Sequence, residues 1–418
     1  MIRNDVAINP LPVRAHERLA LLDAIRGAAL GGILLANLMS FFGADLLSAE
    51  ARRAMAWGDA GEGVLFAVNW LVEGKFYSIF SMLLGVGFVL QADRAVRRGE
   101  PRDRFDRFFR RRMTVLIAIG LTHMFALWSG DILTLYGILG LALPSLARLR
   151  GPARVGTIAL LFAIPTLTHA AVIACHGTCD PRPPFAAIGA AVRSATGLEG
   201  VAAIDAFARG PAADYWAWNS AFAVARPGTY LQSGRPAKVL GLFLLGVWLA
   251  QTILPRLAAH RRALIATLVV GGVVGSIASA DYASIKAATG STFLPSAVGL
   301  RQTVAYTLGT TPLALAYLAA AALAWAHAPG LRRALQWFVP LGRMALSVYV
   351  TQTLLQLLLF AAPGAGLAGR IPFVFLPVVA AAVLSTQRAC CVWWLQRHTH
   401  GPAEWLWRRG TYGSAVHL

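Results

Sequence analysis

Acidic residues are scarce in this chain: 19 Asp and Glu stand against 38 Lys and Arg in 418 residues, a formal net charge of +19. Charge of either sign is thin as well, at 14%, where a soluble domain carries about 25%. That excludes an ordinary water-soluble globular protein. Alternating polar and apolar runs are rare, which argues against a membrane β-barrel. The chain has no GxxxxGK[ST] loop, no GxSxG and no HExxH, so the common signatures of ATP-driven, serine-hydrolase and zincin chemistry are missing. What remains is apolar: 57% of residues are hydrophobic and the mean hydropathy is +0.59.

Apolar blocks near 20 residues recur from end to end, about the length that crosses roughly 30 Å of hydrocarbon as a helix. The expected fold is all-α, a polytopic integral membrane protein of about ten transmembrane helices, because only helices and closed barrels satisfy their backbone in lipid. Spans are placed at about 19–42, 76–92, 113–128, 131–147, 155–175, 239–254, 263–280, 302–326, 343–361 and 372–395. The apolar region 62–92 is too long for one span and is expected to break at Glu73-Gly74-Lys75, leaving a surface helix before it. The parts are a polar N-terminal segment 1–18, an N-terminal membrane bundle 19–150, a fifth span with a long loop 151–238, and a C-terminal membrane domain 239–418. Segment 1–18 lacks a short apolar core followed by a small-residue cleavage site, so no removable signal peptide is expected.

The bases cluster at the ends of apolar blocks, which fits membrane topology and not a nucleic-acid partner. With the N-terminus in the cytoplasm and the spans alternating, the inner segments hold 24 Lys and Arg and the outer segments 11. The densest inner segment, 93–112, holds 9. Both termini are therefore expected inside. Cys390 and Cys391 fall near the inner end of the last span, where thiols stay reduced, and Cys175 and Cys179 fall outside, where a disulfide between them is an open alternative. His169 and His176 lie nearby, but the spacing fits no standard zinc pattern and no metal is expected.

The charged residues inside spans carry most of the information, because they are costly there. Asp23 and Arg26 share a face of the first span, and Asn37 returns to nearly the same face eleven residues on. Gly27, Gly31 and Gly32 on that helix permit close packing. Arg112 and His123 are also eleven apart, nearly coplanar and roughly 16 Å apart along the axis. His123 is then expected in the outer half with Asp131, Glu73 and Lys75, while Asp23, Arg26, Arg110, Arg111 and Arg112 form an inner group. Bland readings stand beside these: a structural histidine bonded to a neighbouring helix, a structural Lys75–Asp131 ion pair, and an arginine run that only sets topology. In the ninth span Arg343, Ser347 and Thr351 repeat every four residues, fit to line the interior or to bond a neighbouring helix. The loop 176–238, with Pro181, Pro183, Pro184, Trp216, Trp218 and Tyr230, suggests irregular backbone with interfacial aromatic contacts, or a re-entrant or surface helix over the site. The tail reads as a short interfacial helix with an internal Glu404–Arg408 pair.

Five blocks, RLALLDAIRGAALGGILLANLMSF, GKFYSIFSMLLGVGF, GLTHMFALWSGDILTLYGILG, LGRMALSVYVTQTLLQ and GPAEWLWR, resemble in order the YeiB-like membrane proteins of bacteria, the group labelled domain of unknown function 418. The resemblance runs from about residue 19 to 413, with no recognised motif in 176–235. It implies a multi-pass protein of the bacterial inner membrane. The N-terminal half is similar to the membrane acyltransferase superfamily that includes heparan-glucosaminide N-acetyltransferases and the acyltransferase-3 group. Those enzymes move an acyl group from cytosolic acyl-CoA to an acceptor outside, using a membrane histidine. The acyltransferase-3 pattern includes an arginine and a histidine separated by ten residues, as Arg112 and His123 are here. Asn69-Trp70-Leu71 stand where the glucosaminide transferases carry a histidine before the second span.

Two functions follow as expectations. In a membrane O- or N-acyltransferase, His123 acts as general base or acyl carrier, Asp131 orients it, and Lys75 with Glu73 nearby stabilises the oxyanion. Arg26, Arg110, Arg111 and Arg112 hold the phosphates of acyl-CoA, a co-substrate and not a bound cofactor, and a glycan or small molecule is the acceptor. Asp23, Asn37, Arg343, Glu404 and Arg408 form a structural polar stripe. In a transporter or flippase of a small anion or lipid-linked sugar, the same charges form a proton-coupled site between two pseudo-symmetric bundles. The enzyme requires His123 within hydrogen-bond reach of an acid and opening on a cavity accessible from the arginine side.

Overall fold

The computed structural model describes residues 20–257 and 259–413; the segment 1–18 lies outside them. The described chain is α-helical, with no strand among the described residues. In order, the helices are α1 (Ala20–Phe41), α2 (Ala49–Ala56), α3 (Asp59–Leu71), α4 (Lys75–Arg97), α5 (Arg102–Ala126), α6 (Leu133–Gly140) and α7 (Leu143–Leu146). They continue as α8 (Gly151–Ala174), α9 (Arg182–Ala195), α10 (Ala212–Gln232), α11 (Arg235–Thr252), α12 (Arg261–Thr289) and α13 (Ala297–His327). The last five are α14 (Pro329–Gln336), α15 (Val339–Arg343), α16 (Ala345–Phe360), α17 (Leu376–Leu395) and α18 (Pro402–Tyr412).

Seven helical stretches among the described residues are long and apolar enough to cross a membrane. Each of the ten expected positions holds helix, yet three fall short of that standard. The first half of α5 is too rich in arginine. The 131–147 segment is divided into α6 and α7, which are 8 and 4 residues long. The apolar α16 has only 16 residues. Val269, Val270, Val273 and Ile277 on α12 stand exposed, as side chains facing lipid do.

The break before Lys75 has a steric cause. Val72 and Glu73 end α3 with backbone bonds to Val68, and Gly74 turns the chain at φ +84°. That conformation suits glycine. A Cβ at Gly74 would lie 2.4 Å from Thr310 and 2.8 Å from the Tyr306 hydroxyl. The break therefore seats against the middle of α13. From it α4 runs toward the arginines, and the 19 residue steps from Lys75 to Arg94, at 1.5 Å each, separate those two by about 28 Å. The bundle thus has an arginine end and an opposite half.

Glycines bring the helices close where the site needs it. A Cβ at Gly342 would fall 1.8 Å from the Asp23 carbonyl oxygen, and one at Gly27 would fall 2.1 Å from that of Phe338. The crossing of α1 and α15 therefore sets the Asp23–Arg26 pair beside Arg343. The small residues of α1 were read in this sense from sequence.

Of the two readings of the loop 176–238, helix holds over most of it and irregular backbone over the rest. Most of it is α9 and α10, and α10 lies across the end of α5. The last carbonyls of α5 have no partner within their own helix. Tyr215 donates to Leu127 at 2.5 Å, Trp216 to Ala126 at 3.0 Å, and Asn219 to Met124 at 2.9 Å. The aromatic residues of the loop thus cap a helix. The tail is also more deeply set than a surface helix: Thr411 and Tyr412 are buried, and the Trp407 indole donates to the Arg112 carbonyl at 2.8 Å. At the opposite half Cys175 and Cys179 form a disulfide. His169 is held by Thr303 on Nδ1 and by the Leu294 carbonyl on Nε2, both at 2.8 Å.

Candidate functional site

His123 lies one turn before the end of α5, and Asp131 follows the turn that leads into α6. Both are 2% exposed. Nδ1 of His123 lies 3.1 Å from Oδ1 of Asp131, and Nε2 lies 3.0 Å from the Thr353 hydroxyl on α16. The Tyr349 ring stacks obliquely beside the imidazole, with centroids 5.1 Å apart. Asp131 also caps α6: its two carboxylate oxygens accept from the backbone N–H of Leu133 at 3.1 Å and Thr134 at 2.7 Å. A helix N-terminus favours the charged carboxylate. With an anion facing Nδ1, the proton belongs on Nδ1 and the Nε2 lone pair faces the hydroxyl. The 3.1 Å approach is close but off the line of an aligned hydrogen bond.

From the arginine end a cavity of about 280 Å³ rises toward this pair. Its mouth carries Arg26, Arg94, Arg112, Arg343 and Arg408, with Asp23 and Glu404. Its upper walls are aliphatic, and it closes on Ile132, Leu133 and Tyr349. Leu133 is bonded to Asp131, and Tyr349 lies against His123. The cavity therefore ends one residue layer below the imidazole. Charge at its mouth is organised. Arg26 pairs with Asp23 at 3.1 Å, and Arg112 stacks on Trp407 at 3.7 Å. Glu404 accepts from the backbone N–H of Leu346 at 2.6 Å and of Ser347 at 3.2 Å, and from the Ser347 hydroxyl at 2.5 Å. The tail thereby caps α16. Burial pushes the Glu404 carboxyl above its ordinary value against those hydrogen bonds.

A second polar cluster surrounds the break between α3 and α4. Lys75 is fully buried and donates to the Asn69 carbonyl at 3.0 Å. Glu73 pairs with Lys286 at 3.0 Å, and Lys286 also donates to the Asn69 side chain at 3.1 Å. Lys238, 2% exposed, donates to Thr310 and lies 4.1 Å over the Tyr306 ring. Tyr230 joins the two clusters. Its hydroxyl donates to the Asp131 carbonyl at 2.8 Å, and Arg235 lies 5.2 Å over its ring.

Residues 239–414 match the family described as "Protein of unknown function (DUF418)". Along its length the chain is similar to the uncharacterized protein YxaH of Bacillus subtilis (strain 168), 26% identical over 411 residues and 96% of each chain. It is also similar to the uncharacterized protein YeiB of Escherichia coli (strain K12), 34% identical over 129 residues, 30% of each chain. The family match is confined to residues 239–414, and the likeness to YxaH extends along the rest of the chain. An uncharacterized 39.9 kDa protein in the amylase 3' region of Bacillus acidopullulyticus is 35% identical over 153 residues, 36% of this chain and 41% of that one. No solved structure matches.

In this protein the four residues expected together divide into two pairs. His123 meets Asp131, while Lys75 falls with Glu73, Lys286 and Lys238 at the helix break. Sequence could not separate them, because the depth of Lys75 depends on how α3 enters the bundle. Of the four arginines read as donor-binding, Arg26 and Arg112 line the cavity. Arg110 is exposed and reaches Ser145 at 3.4 Å, and Arg111 is exposed. Helical phase turns these two away from Arg112. Of the polar stripe, Asp23, Arg343, Glu404 and Arg408 line the same cavity, and Asn37 is half-buried outside its lining. Ser347 and Thr351 serve helix contacts, to Glu404 and Gln387. Sequence reading missed Thr353, Tyr349, Arg94, Arg235, Lys238 and Lys286. For Lys238 and Lys286 the signal was present, since both sit in helices long and apolar enough to span.

Proposed function

We propose that this protein is a membrane acyltransferase that takes an acyl group from a cytosolic acyl-CoA and places it on a hydroxyl or amine of an acceptor, such as a glycan, on the far side of the bacterial inner membrane. The observation that carries this reading is the buried His123–Asp131 pair, one residue layer beyond the closed end of an arginine-mouthed cavity whose lining does not include it. A thioester donor has phosphates at one end and a narrow apolar-and-amide arm at the other. Arginines suit the phosphates, and the roughly 16 Å between Arg112 and His123 along α5 suits the arm.

The chemistry follows from the tautomer. Nε2 of His123 takes the proton of the acceptor hydroxyl as its oxygen attacks the acyl carbon. The C–S bond breaks, and the leaving thiolate takes the proton back from Nε2. Asp131 keeps the proton on Nδ1 and stabilises the transient imidazolium. The Thr353 hydroxyl marks the direction in which Nε2 accepts. Orientation is supported by the arginines at the donor end and by a disulfide at the other, where conditions are oxidising.

The test compares envelope glycans and metabolites of cells carrying the wild type or His123→Ala. Loss of an acetyl or succinyl modification in the variant supports transfer. An unchanged acylation profile with altered solute uptake overturns it in favour of transport.

A further inference from the structure

The cluster at the α3–α4 break holds more positive charge than the fold itself uses. Lys75, Lys238, Arg235 and Lys286 act on one another at close range, and the carboxylate among them is Glu73, bonded to Lys286. Farther out near Lys286, Asp45 and Arg52 offset each other. Lys75 and Lys238 are almost fully buried, and Lys75 carries a single hydrogen bond for its three donors. Arg235 is half-buried, and among the described residues its guanidinium meets the rings of Tyr77 and Tyr230 at 5.8 and 5.2 Å and no hydrogen-bond acceptor. Buried cations without anions are costly, more so at membrane depth. They are kept where a ligand supplies the missing charge. The backbone here is broken against the middle of α13, and broken helices at membrane depth are where polar ligands are held.

We infer that Arg235, Lys238 and Lys75 form a binding site for an oxyanion, a phosphate or a carboxylate, in the half of the bundle away from the arginine cavity. Tyr77 and Tyr306, whose hydroxyls lie 3.4 Å apart, flank it. Tyr230 couples it to the Asp131 backbone. The site therefore recognises an anionic group carried by the acceptor, a role that rests on the acyl-transfer reading; the oxyanion site itself does not.

The test uses the full chain in detergent and follows its thermal unfolding midpoint with glycerol 1-phosphate, glucuronate, and neutral glycerol and glucose as probes. Glycerol 1-phosphate or glucuronate raises the midpoint of the wild type with concentration, and whichever acts names the oxyanion; the neutral probes do not. Arg235→Gln, which loses no hydrogen bond of the fold, weakens the half-maximal concentration about tenfold or more, as expected for charge-assisted hydrogen bonds. Arg111→Gln, at an exposed position of α5, leaves it unchanged, and Arg235→Lys restores part of it. No shift with either anion, or an equal shift in Arg235→Gln, overturns the site. A shift that depends on Arg235, together with acylation that survives His123→Ala, keeps the site and removes the transferase.

Discussion

Nδ1 of His123 lies 3.1 Å from Oδ1 of Asp131, although His123 is in α5 and Asp131 lies beyond a tight turn, just before α6. The same carboxylate caps α6 through Leu133 and Thr134, so one acid both shapes the turn and sets the histidine tautomer. Asp131→Asn separates these roles. An amide oxygen still caps the helix, but it no longer stabilises an imidazolium. Transfer falls about 10²–10⁴-fold, the range for loss of general-base assistance, while the unfolding midpoint moves little. Single-turnover acyl transfer measured beside thermal unfolding checks both halves.

Asn219 holds the lid over this pair. Its side chain accepts from Ser129 N–H and donates to the carbonyls of Met124 and Phe125. Asn219→Ala leaves buried backbone groups without partners, at about 1–3 kcal/mol. The expected outcome is a lower denaturation midpoint and faster hydrogen exchange at 124–129. An unchanged midpoint would show that α10 is not what closes the end of α5.

The arginines are not equivalent. Arg112 lines the cavity, whereas Arg110 and Arg111 are exposed. Arg112→Gln raises the KM for the acyl donor about tenfold or more, the scale of one lost charged hydrogen bond, with a smaller effect on kcat. Arg110→Gln and Arg111→Gln leave KM near the wild-type value. Donor titrations on purified variants distinguish this pattern from a run that acts only in topology, where all three would behave alike.

Glu404 predicts a pH dependence. Burial holds its carboxyl above the ordinary value, so the folded chain keeps a proton that the unfolded chain has released. Stability from this group is greatest at or below the ordinary carboxylate range, near pH 4.3. It declines as pH rises from there through the raised folded value. Glu404→Gln flattens that limb of the midpoint-against-pH curve. Parallel curves for the two proteins would contradict the assignment.

Much of this was legible in the sequence, for reasons that differ by residue. The spans follow from length and hydropathy, and the break before Lys75 follows from the excess length of 62–92 with a glycine inside it. His123 and Asp131 were found because titratable groups are rare in apolar segments. The role of Glu404 was not legible: its i,i+4 spacing to Arg408 pointed within α18, but both its oxygens go to α16, a tertiary contact without a local signal. Thr353 was hidden for the same reason, since a hydroxyl in a span commonly bonds its own helix. A helix in 176–238 was one of two readings, and its bounds were obscured by prolines that stand at helix starts, as in α9.

The central claim is that His123, set by Asp131, moves an acyl group across the bilayer. Inverted membrane vesicles carrying the protein, given acetyl-CoA, succinyl-CoA and longer acyl-CoA labelled in the acyl group, test it most directly. The account predicts label on a lumenal acceptor in wild-type vesicles, its loss in His123→Ala, and strong reduction in Asp131→Asn. Equal labelling of wild type and His123→Ala across the donor series would contradict it.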